Sequence, residues 1–249
     1  MISKDQRDFI KDKILKKFTE VYKDGKADNL KKNHKKDNSL VTEIDLFVSD
    51  LVKRELSGVN SFNFYCEEDH SELEFPSLIL DPIDGTKGLS KGLAECSLSL
   101  AIMKSSNIKD GWGWIFNPFT GFEICSDDRF FPAINYQKSH LSCLVSRSEW
   151  DSGLYEKECL DHNVFLAPKG SIALKLGYLA SGACEFVVSK KPKNIWDIAA
   201  GTVLCKQRGI NLFIGKVEQS YLDEKRLDAP LIWCREENLD HVMNLFSFQ

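Results

Sequence analysis

An apolar run that ends in two closely spaced carboxylates constrains this chain more than any other feature. The run Leu78-Ile79-Leu80 is followed directly by Asp81-Pro82-Ile83-Asp84-Gly85-Thr86. Proline fixes its own φ at about −65° and pushes the preceding residue toward extended backbone, so Asp81 and Asp84 are held in a stiff turn at the end of a buried strand. We therefore expect the two carboxylates to converge on one site.

Two converging carboxylates need a shared proton or a cation, because like charges a few ångström apart repel each other. Oxygen ligands select hard cations, and Mg²⁺ is commonly bound by a few carboxylates together with water and phosphate oxygens. Gly85 and Thr86 add backbone N–H groups that can face a phosphate, and Thr86 adds a hydroxyl that can contact a water. The segment thus predicts a site for a metal ion and an anion together.

Further acidic residues at the ends of other predicted elements are candidates for the same site. Glu67 and Glu68 follow an apolar strand, whereas Asp45 and Asp197 begin helices. The helix dipole stabilises an acid at a helix N-terminus by about 0.3–1 kcal/mol, so Asp197 by itself also has a structural explanation. Taken together, the acids indicate a metal centre assembled from distant parts of the chain.

Helix and strand patterns mix along the whole chain and predict a layered α/β fold. We expect an N-terminal α+β half (1–140) with most of the metal ligands, a C-terminal α/β half (141–249) with Asp197 and the substrate contacts, and the site between them. The predicted helices are 4–23, 43–57, 170–181, 196–208 and one from 236 onward. The predicted strands are 62–66, 77–80, 96–103, 111–117, 122–125, 141–146, 184–188, 210–214 and 230–234.

Composition and charge exclude several classes of function. The 249 residues carry 43% hydrophobic and 28% charged residues, as ordinary globular proteins do, and the formal net charge of −4 argues against binding a nucleic acid polymer. No apolar run is long enough to span a membrane and no signal sequence is recognisable, so we expect a cytoplasmic protein without a membrane partner. The eight cysteines are dispersed singly, which predicts buried free thiols.

One polar segment, Lys23–Asn38, separates the first two predicted helices. It contains six lysines, three asparagines and a glycine. This composition predicts a mobile loop rather than a packed element. The loop is either a solvated connector or a lid over an anionic ligand.

The ordered set of motifs resembles that of the inositol monophosphatase superfamily. It consists of Asn38–Asp45, Glu67-Glu68, Asp81–Thr86 and Trp196–Gly201, and the similarity extends over residues 36–209. The Asp-Pro-x-Asp-Gly-Thr motif followed by a distant Trp-Asp motif is specific. The resemblance implies a sugar-phosphatase fold with αβαβα layers and a Mg²⁺-dependent, Li⁺-sensitive phosphatase, often a homodimer.

The resemblance also implies a centre that holds two or three Mg²⁺ ions. Asp81 would bridge two of the ions. Glu67 and the carbonyl of Ile83 would complete the first ion's ligands, and Asp84 with Asp197 would hold the second ion.

Catalytic roles are implied for residues beside these ligands. Thr86, paired with Asp45, would orient and deprotonate the attacking water. The backbone amides of Gly85 and Thr86 would hold the phosphate. Such positioning and electrostatic stabilisation are most of what phosphoryl transfer asks of a protein.

Substrate selectivity is expected from the second half of the chain, which contains Ser146-Arg147-Ser148, Gly170-Ser171, Lys175 and Lys190-Lys191-Pro192-Lys193. Gly170 and Ser171 are predicted to cap a helix, whose free N–H groups bind anions or hydroxyls. The lysine at position 175 is similar to what the bacterial 3′(2′),5′-bisphosphate nucleotidase branch has there. Lys190 stands where inositol monophosphatases usually have an acid for a sugar hydroxyl, and a lysine suits a second phosphate better. These four residues are therefore candidates to bind the substrate.

The substrate is thus expected to be a small phosphorylated metabolite, with adenosine 3′,5′-bisphosphate favoured. Inositol phosphate is the alternative, because the spacing in Gly170–Leu174 is closer to the inositol branch. A third reading is a non-catalytic metal or anion sensor that keeps the fold. The presence of every implied ligand together with Thr86 argues against that reading.

Overall fold

Two β-sheets carry most of the apolar core, and helices pack on both faces of each sheet. Their strands are largely buried, so both faces of each sheet must be covered. The computed structural model describes residues 2–22, 30–34, 40–58, 62–69, 72–130, 140–158 and 164–247. Its α-helices are α1 (Lys4–Val21), α2 (Glu43–Leu56), α3 (Thr86–Leu89), α4 (Arg147–Asp151), α5 (Ile172–Ala180), α6 (Ile195–Gln207) and α7 (Leu239–Leu245).

The first sheet is formed by residues between 63 and 125. The strands of this part of the chain are β1 (Lys32–His34), β2 (Leu40–Thr42), β3 (Asn63–Cys66), β4 (Ser77–Asp84), β5 (Ser97–Met103), β6 (Gly111–Phe116) and β7 (Glu123–Cys125). The order in the sheet is β3-β4-β5-β6-β7, with β3 parallel to β4 and the other neighbours antiparallel. The short strands β1 and β2 pair separately.

Two amphipathic helices cover one face of this sheet. α1 buries Ile14 and Phe18, and α2 buries Val48 and Leu51, all within one apolar cluster with the sheet. Both helices lie where the apolar periodicity predicted them. Apart from the buried Arg7 and Asp45, their charged residues are at least partly exposed, and the apolar stripe of the lysine-rich first helix packs into the core.

The second sheet is formed by residues between 141 and 234. The strands of this part are β8 (Leu141–Ser146), β9 (Val164–Lys169), β10 (Phe186–Ser189), β11 (Lys193–Asn194), β12 (Asn211–Ile214), β13 (Val217–Gln219), β14 (Arg226–Leu227) and β15 (Leu231–Cys234). The sheet order is β13-β12-β15-β10-β8-β9, and β11 pairs with β14 outside it. The neighbours β9, β8 and β10 are parallel.

Helices α5 and α6 lie between the two sheets and form the central layer. Their apolar residues join a cluster that takes side chains from both sheets, including Tyr65 and Trp233. The approach is close, since a Cβ at Gly113 of β6 would lie 2.5 Å from the carbonyl oxygen of Ala200 in α6. The central layer therefore brings the N-terminus of each helix beside the end of β4.

The outer face of the second sheet packs against α7 and against Trp150 of α4, which completes the layer order αβαβα. This confirms the predicted layered α/β fold. The division of the chain at residue 140 falls between the two sheets, and it stays a prediction.

One prediction of local structure was wrong, and one strand was not predicted. Part of Lys23–Asn38 was predicted to be unpacked, yet Lys32–His34 forms β1 and pairs with β2, because backbone hydrogen bonding needs no apolar side chains. Residues 23–29 and 35–38 of that segment lie outside the described residues, so the proposed lid is not tested. Strand β9 was not predicted; it contains Pro168 and is an edge strand, where proline is tolerated.

Among the described residues, none of the helices is both long enough and apolar enough to cross a membrane. The seven described cysteines are buried free thiols, as predicted, and Cys159 lies outside the described residues.

Candidate active site

Three carboxylates from two distant segments meet at the end of β4. Asp81, Asp84 and Asp197 each place one carboxylate oxygen within 4.8 Å of the others. The pairing of β4 with β5 shifts register between Asp81 and Asp84, which lets both side chains reach the same site. Asp197 lies in the first turn of α6, where it also accepts a hydrogen bond from the Asn194 N–H at 3.1 Å. The structure thus brings together three of the predicted ligands.

This cluster is electrostatically unfavourable without a cation. Burial raises the pKa of Asp81 well above its usual range, and the charges of Glu67, Asp84 and Asp197 raise it further. Burial likewise raises the pKa of Asp197 to about 7, with Asp84 as the next contributor. One buried oxygen, Asp81 Oδ1, has no hydrogen-bond partner in the described structure. A hard divalent cation fits this donor set, because it offsets the repulsion and uses the unpartnered oxygen.

The other two predicted ligands line the same cleft without belonging to the three-carboxylate cluster. Glu67 follows β3, and its N–H donates to the Leu80 carbonyl at 3.1 Å, which fixes it beside the start of the Asp81 turn. Ile83 lies between the two aspartates of β4. Both residues face the cleft together with Asp81 and Asp84.

Thr86 and Asp45 are in direct contact, as the resemblance implied. Thr86 Oγ1 lies 3.1 Å from Asp45 Oδ1 and 2.9 Å from the carbonyl oxygen of Ile83. The other oxygen of Asp45, Oδ2, accepts hydrogen bonds from the N–H and the hydroxyl of Thr42, the N-cap residue of α2. Burial raises the pKa of Asp45 to about 6. The aspartate is therefore positioned to accept a hydrogen bond from the threonine hydroxyl.

Ser171 joins α5 to the Asp81–Thr86 turn. As the N-cap of α5 it accepts from the Leu174 N–H, which confirms the predicted cap, and its hydroxyl donates to Asp84 Oδ2 at 2.7 Å. The Ala173 N–H donates to the same oxygen at 2.6 Å. Burial raises the pKa of Asp84 and these two hydrogen bonds oppose the rise. Ser171 adopts a positive φ of 52°. The helix start thus binds a protein carboxylate.

Lys175 lies at the base of the cleft but is only 2% exposed. Its ammonium donates to the carbonyl oxygens of Lys169 and Ser171 at 3.2 and 3.1 Å. Burial lowers its pKa to about 8. The lysine predicted to bind a second phosphate is thus committed to holding the backbone that leads into α5.

Lys190 does not reach the cleft, which removes the structural basis for assigning it to the substrate. Its ammonium pairs with Glu158, donates to the Leu154 carbonyl at 2.7 Å, and lies over the rings of Tyr155 and Phe246. Its sequence position matched an acid of the inositol branch, but the chain turns so that this side chain points to the outer layer of helices.

Glu95 lines the cleft but was not assigned a role from the sequence. Glu95 accepts two hydrogen bonds from Arg147, at 2.7 and 2.5 Å, and one from the Gly170 N–H at 2.8 Å, so it ties the two walls of the cleft together. An isolated acid shortly before a buried strand gives no signal in the sequence. Three lysines, Lys87, Lys91 and Lys193, also line the cleft, which has a volume of about 330 Å³.

A sequence model of the inositol monophosphatase family matches residues 4–241. The chain belongs to this family. It is therefore a metal-dependent phosphoric monoester hydrolase, in agreement with the carboxylate cluster and the Thr86–Asp45 pair.

Two curated relatives differ in the substrate that their names give. The fructose-1,6-bisphosphatase of Pyrococcus furiosus is 30% identical over 220 residues, covering 82% of each chain. The 3′(2′),5′-bisphosphate nucleotidase CysQ of Aggregatibacter actinomycetemcomitans is 24% identical over 199 residues, covering 72% of this chain and 73% of CysQ. Among solved structures, the IMPase of Thermotoga maritima superposes with a TM-score of 0.73 at 23% identity, covering 98% and 97% of the two chains, and supports the family fold.

Proposed function

We propose that this phosphatase hydrolyses a small metabolite that carries two phosphates. The observation that carries the proposal is the composition of the cleft, where two kinds of charged group meet: a carboxylate cluster at one end and lysines on the walls. The carboxylates suit one phosphate through bound cations. Further positive charge along the walls suits a second phosphate better than a neutral polyol.

Mg²⁺ is the proposed cofactor, with two or three ions held by Glu67, Asp81, the Ile83 carbonyl, Asp84 and Asp197. When bound, Mg²⁺ supplies positive charge that activates a water and neutralises phosphate oxygens. The orphaned oxygen of Asp81 and its raised pKa support this assignment.

The protein's own groups would position and deprotonate the attacking water. Thr86 faces the cleft and contacts Asp45, whose pKa of about 6 leaves it mostly ionised at neutral pH and able to accept a proton. The amides of Gly85 and Thr86 are the proposed phosphate ligands. Gly170 and Ser171 support the site from the other wall, where Ser171 holds Asp84.

Adenosine 3′,5′-bisphosphate is the first candidate substrate, although Lys175 and Lys190, which suggested it, are engaged elsewhere. The name of the CysQ relative agrees with this candidate. Fructose 1,6-bisphosphate is the second candidate, because the Pyrococcus relative is named for it. This compound also carries two phosphates. Inositol 1-phosphate is the one-phosphate alternative.

Phosphate release by the purified protein tests this proposal. We expect turnover of at least one bisphosphate with Mg²⁺ and loss of this turnover with excess chelator. The kcat/KM for inositol 1-phosphate should be at least tenfold lower than the kcat/KM for that bisphosphate. Preference for inositol 1-phosphate would overturn the two-phosphate proposal. Light scattering during gel filtration would test the expected homodimer.

A further inference from the structure

Lys193 is the cleft lysine closest in sequence to the metal ligands of the C-terminal half. It opens β11, four residues before Asp197, and lines the cleft with Asp84 and Asp197. Its side chain is 17% exposed. Its positive charge lowers the pKa of both aspartates, in agreement with a position beside the cluster.

A buried carboxylate positions this lysine from behind. Glu149 of α4 is fully buried and accepts hydrogen bonds from the Tyr155 hydroxyl, from Ser189 Oγ at 3.0 Å and from the Lys190 N–H at 3.0 Å. The Lys193 ammonium lies 3.8 Å from Glu149 Oε1, which is an ion-pair distance and too long for a hydrogen bond. The Glu149 carboxylate therefore holds the lysine by charge attraction, while its own hydrogen bonds are made with Tyr155, Ser189 and the Lys190 N–H.

The donors of Lys193 remain available to a ligand. Over the part of the chain that the structure describes, no acceptor hydrogen-bonds to its ammonium, whereas Lys175 is bonded to two carbonyl oxygens and Arg147 to Glu95. Lys87 and Lys91 on the opposite wall are exposed, so fixing them on a ligand costs more conformational entropy. Lys193 is the half-buried, pre-positioned cation of the cleft.

We propose that Lys193, held by Glu149, binds the phosphate of the substrate that is not hydrolysed. The proposal rests on the two-phosphate function above. It assigns to Lys193 the specificity role that the sequence suggested for the segment 190–193 and for Lys190 in particular. An ammonium–phosphate contact of this kind is a charge-assisted hydrogen bond, and a substrate without the second phosphate does not make it. Lys193 is thus expected to set selectivity rather than the chemical step.

The test compares substrates that differ only in the second phosphate. Adenosine 3′,5′-bisphosphate is paired with adenosine 3′-monophosphate, and fructose 1,6-bisphosphate with fructose 1-phosphate, in steady-state assays with Mg²⁺. For Lys193→Met we expect kcat/KM for the bisphosphate to fall roughly 10- to 100-fold, mainly through KM. The monophosphate constants should change by less than about threefold.

Two further variants separate a specific contact from a general disturbance. Lys191→Met is the matched control, because Lys191 lies in the same segment but is exposed and does not line the cleft. We expect it to leave both substrates unchanged. Lys193→Arg keeps the charge and is expected to restore part of the bisphosphate preference.

The possible failures are distinguishable. Turnover of a bisphosphate with the same preference in wild type and Lys193→Met would overturn the role of Lys193 and leave the proposed function standing. An equal loss on both members of a pair would assign Lys193 to the structure of the site and overturn its specificity role. Hydrolysis of inositol 1-phosphate with no activity on either bisphosphate would overturn both proposals.

Discussion

The hydroxyl of Ser171 donates a 2.7 Å hydrogen bond to Asp84, which lies 87 residues earlier in the chain. The bond joins the N-cap of α5 to the acid that ends β4. The same serine oxygen caps its own helix by accepting from the Leu174 N–H. One side chain therefore couples the start of the central helix layer to the Asp81–Thr86 turn, which is the proposed metal site.

Removal of this hydroxyl should weaken both the helix cap and the metal site. For Ser171→Ala we expect the free energy of unfolding to fall by about 1–2 kcal/mol, since the N-cap is lost and Asp84 loses a buried donor. Urea denaturation monitored by circular dichroism measures the change. Ser181→Ala at the exposed end of the same helix is the control, and an equal effect there would contradict the coupling.

Removal of the Asp81 carboxylate, which would be shared by two metal ions, should abolish activity without unfolding the protein. For Asp81→Asn we expect turnover to fall by roughly 100-fold or more, because a central metal ligand is lost. The metal-free variant should be at least as stable as metal-free wild type, because one of the repelling buried acids is neutral. Phosphate release and thermal melting measure the two effects. Near-normal activity would refute the assignment, and Asp223→Asn on the surface is the matched control.

Mg²⁺ binding should weaken as the pH falls. Asp197 has a pKa of about 7 in the metal-free protein, and a metal ion binds its deprotonated form. Below pH 7 the cation must displace a proton, so we expect the affinity to fall by up to about tenfold per pH unit. Calorimetric titrations with Mg²⁺ at pH 6, 7 and 8 in two buffers of different ionisation enthalpy measure affinity and proton release. An affinity that is constant over this range would contradict the prediction.

The buried ammonium of Lys175 should make the free energy of unfolding depend on pH in the alkaline range. Burial lowers its pKa from 10.5 to about 8, so between these values the unfolded chain binds more protons than the folded chain. Wild type should therefore gain stability relative to Lys175→Met as the pH rises, by about 1 kcal/mol between pH 8 and 9. Urea denaturation of both proteins in chelator at pH 7, 8 and 9 measures the difference, and parallel pH profiles would show that Lys175 does not titrate this way.

The sequence predicted the elements that have regular patterns. The periodicity of α1 and α2 and the apolar runs of β4, β5 and β8 carry their own signals, and the layered class followed from them. Strand β9 was not predicted. It contains Pro168, which is tolerated at a sheet edge, and a strand's place in the sheet is a tertiary property. Glu95 escaped because its partners, Arg147 and Gly170, are distant in the chain.

The sequence by itself determined the chemistry of the centre, since the spacing of Asp81 and Asp84 around a proline and the pairing of strand ends with acids are local properties. Only the tertiary structure decided which basic side chains line the cleft. Lys190 and Lys193 are three residues apart and chemically identical, yet Lys190 pairs with Glu158 in the outer layer and Lys193 lines the cleft. The direction of a side chain in an irregular segment depends on the layers packed around it, and here the buried Glu149 is the residue around which that segment turns.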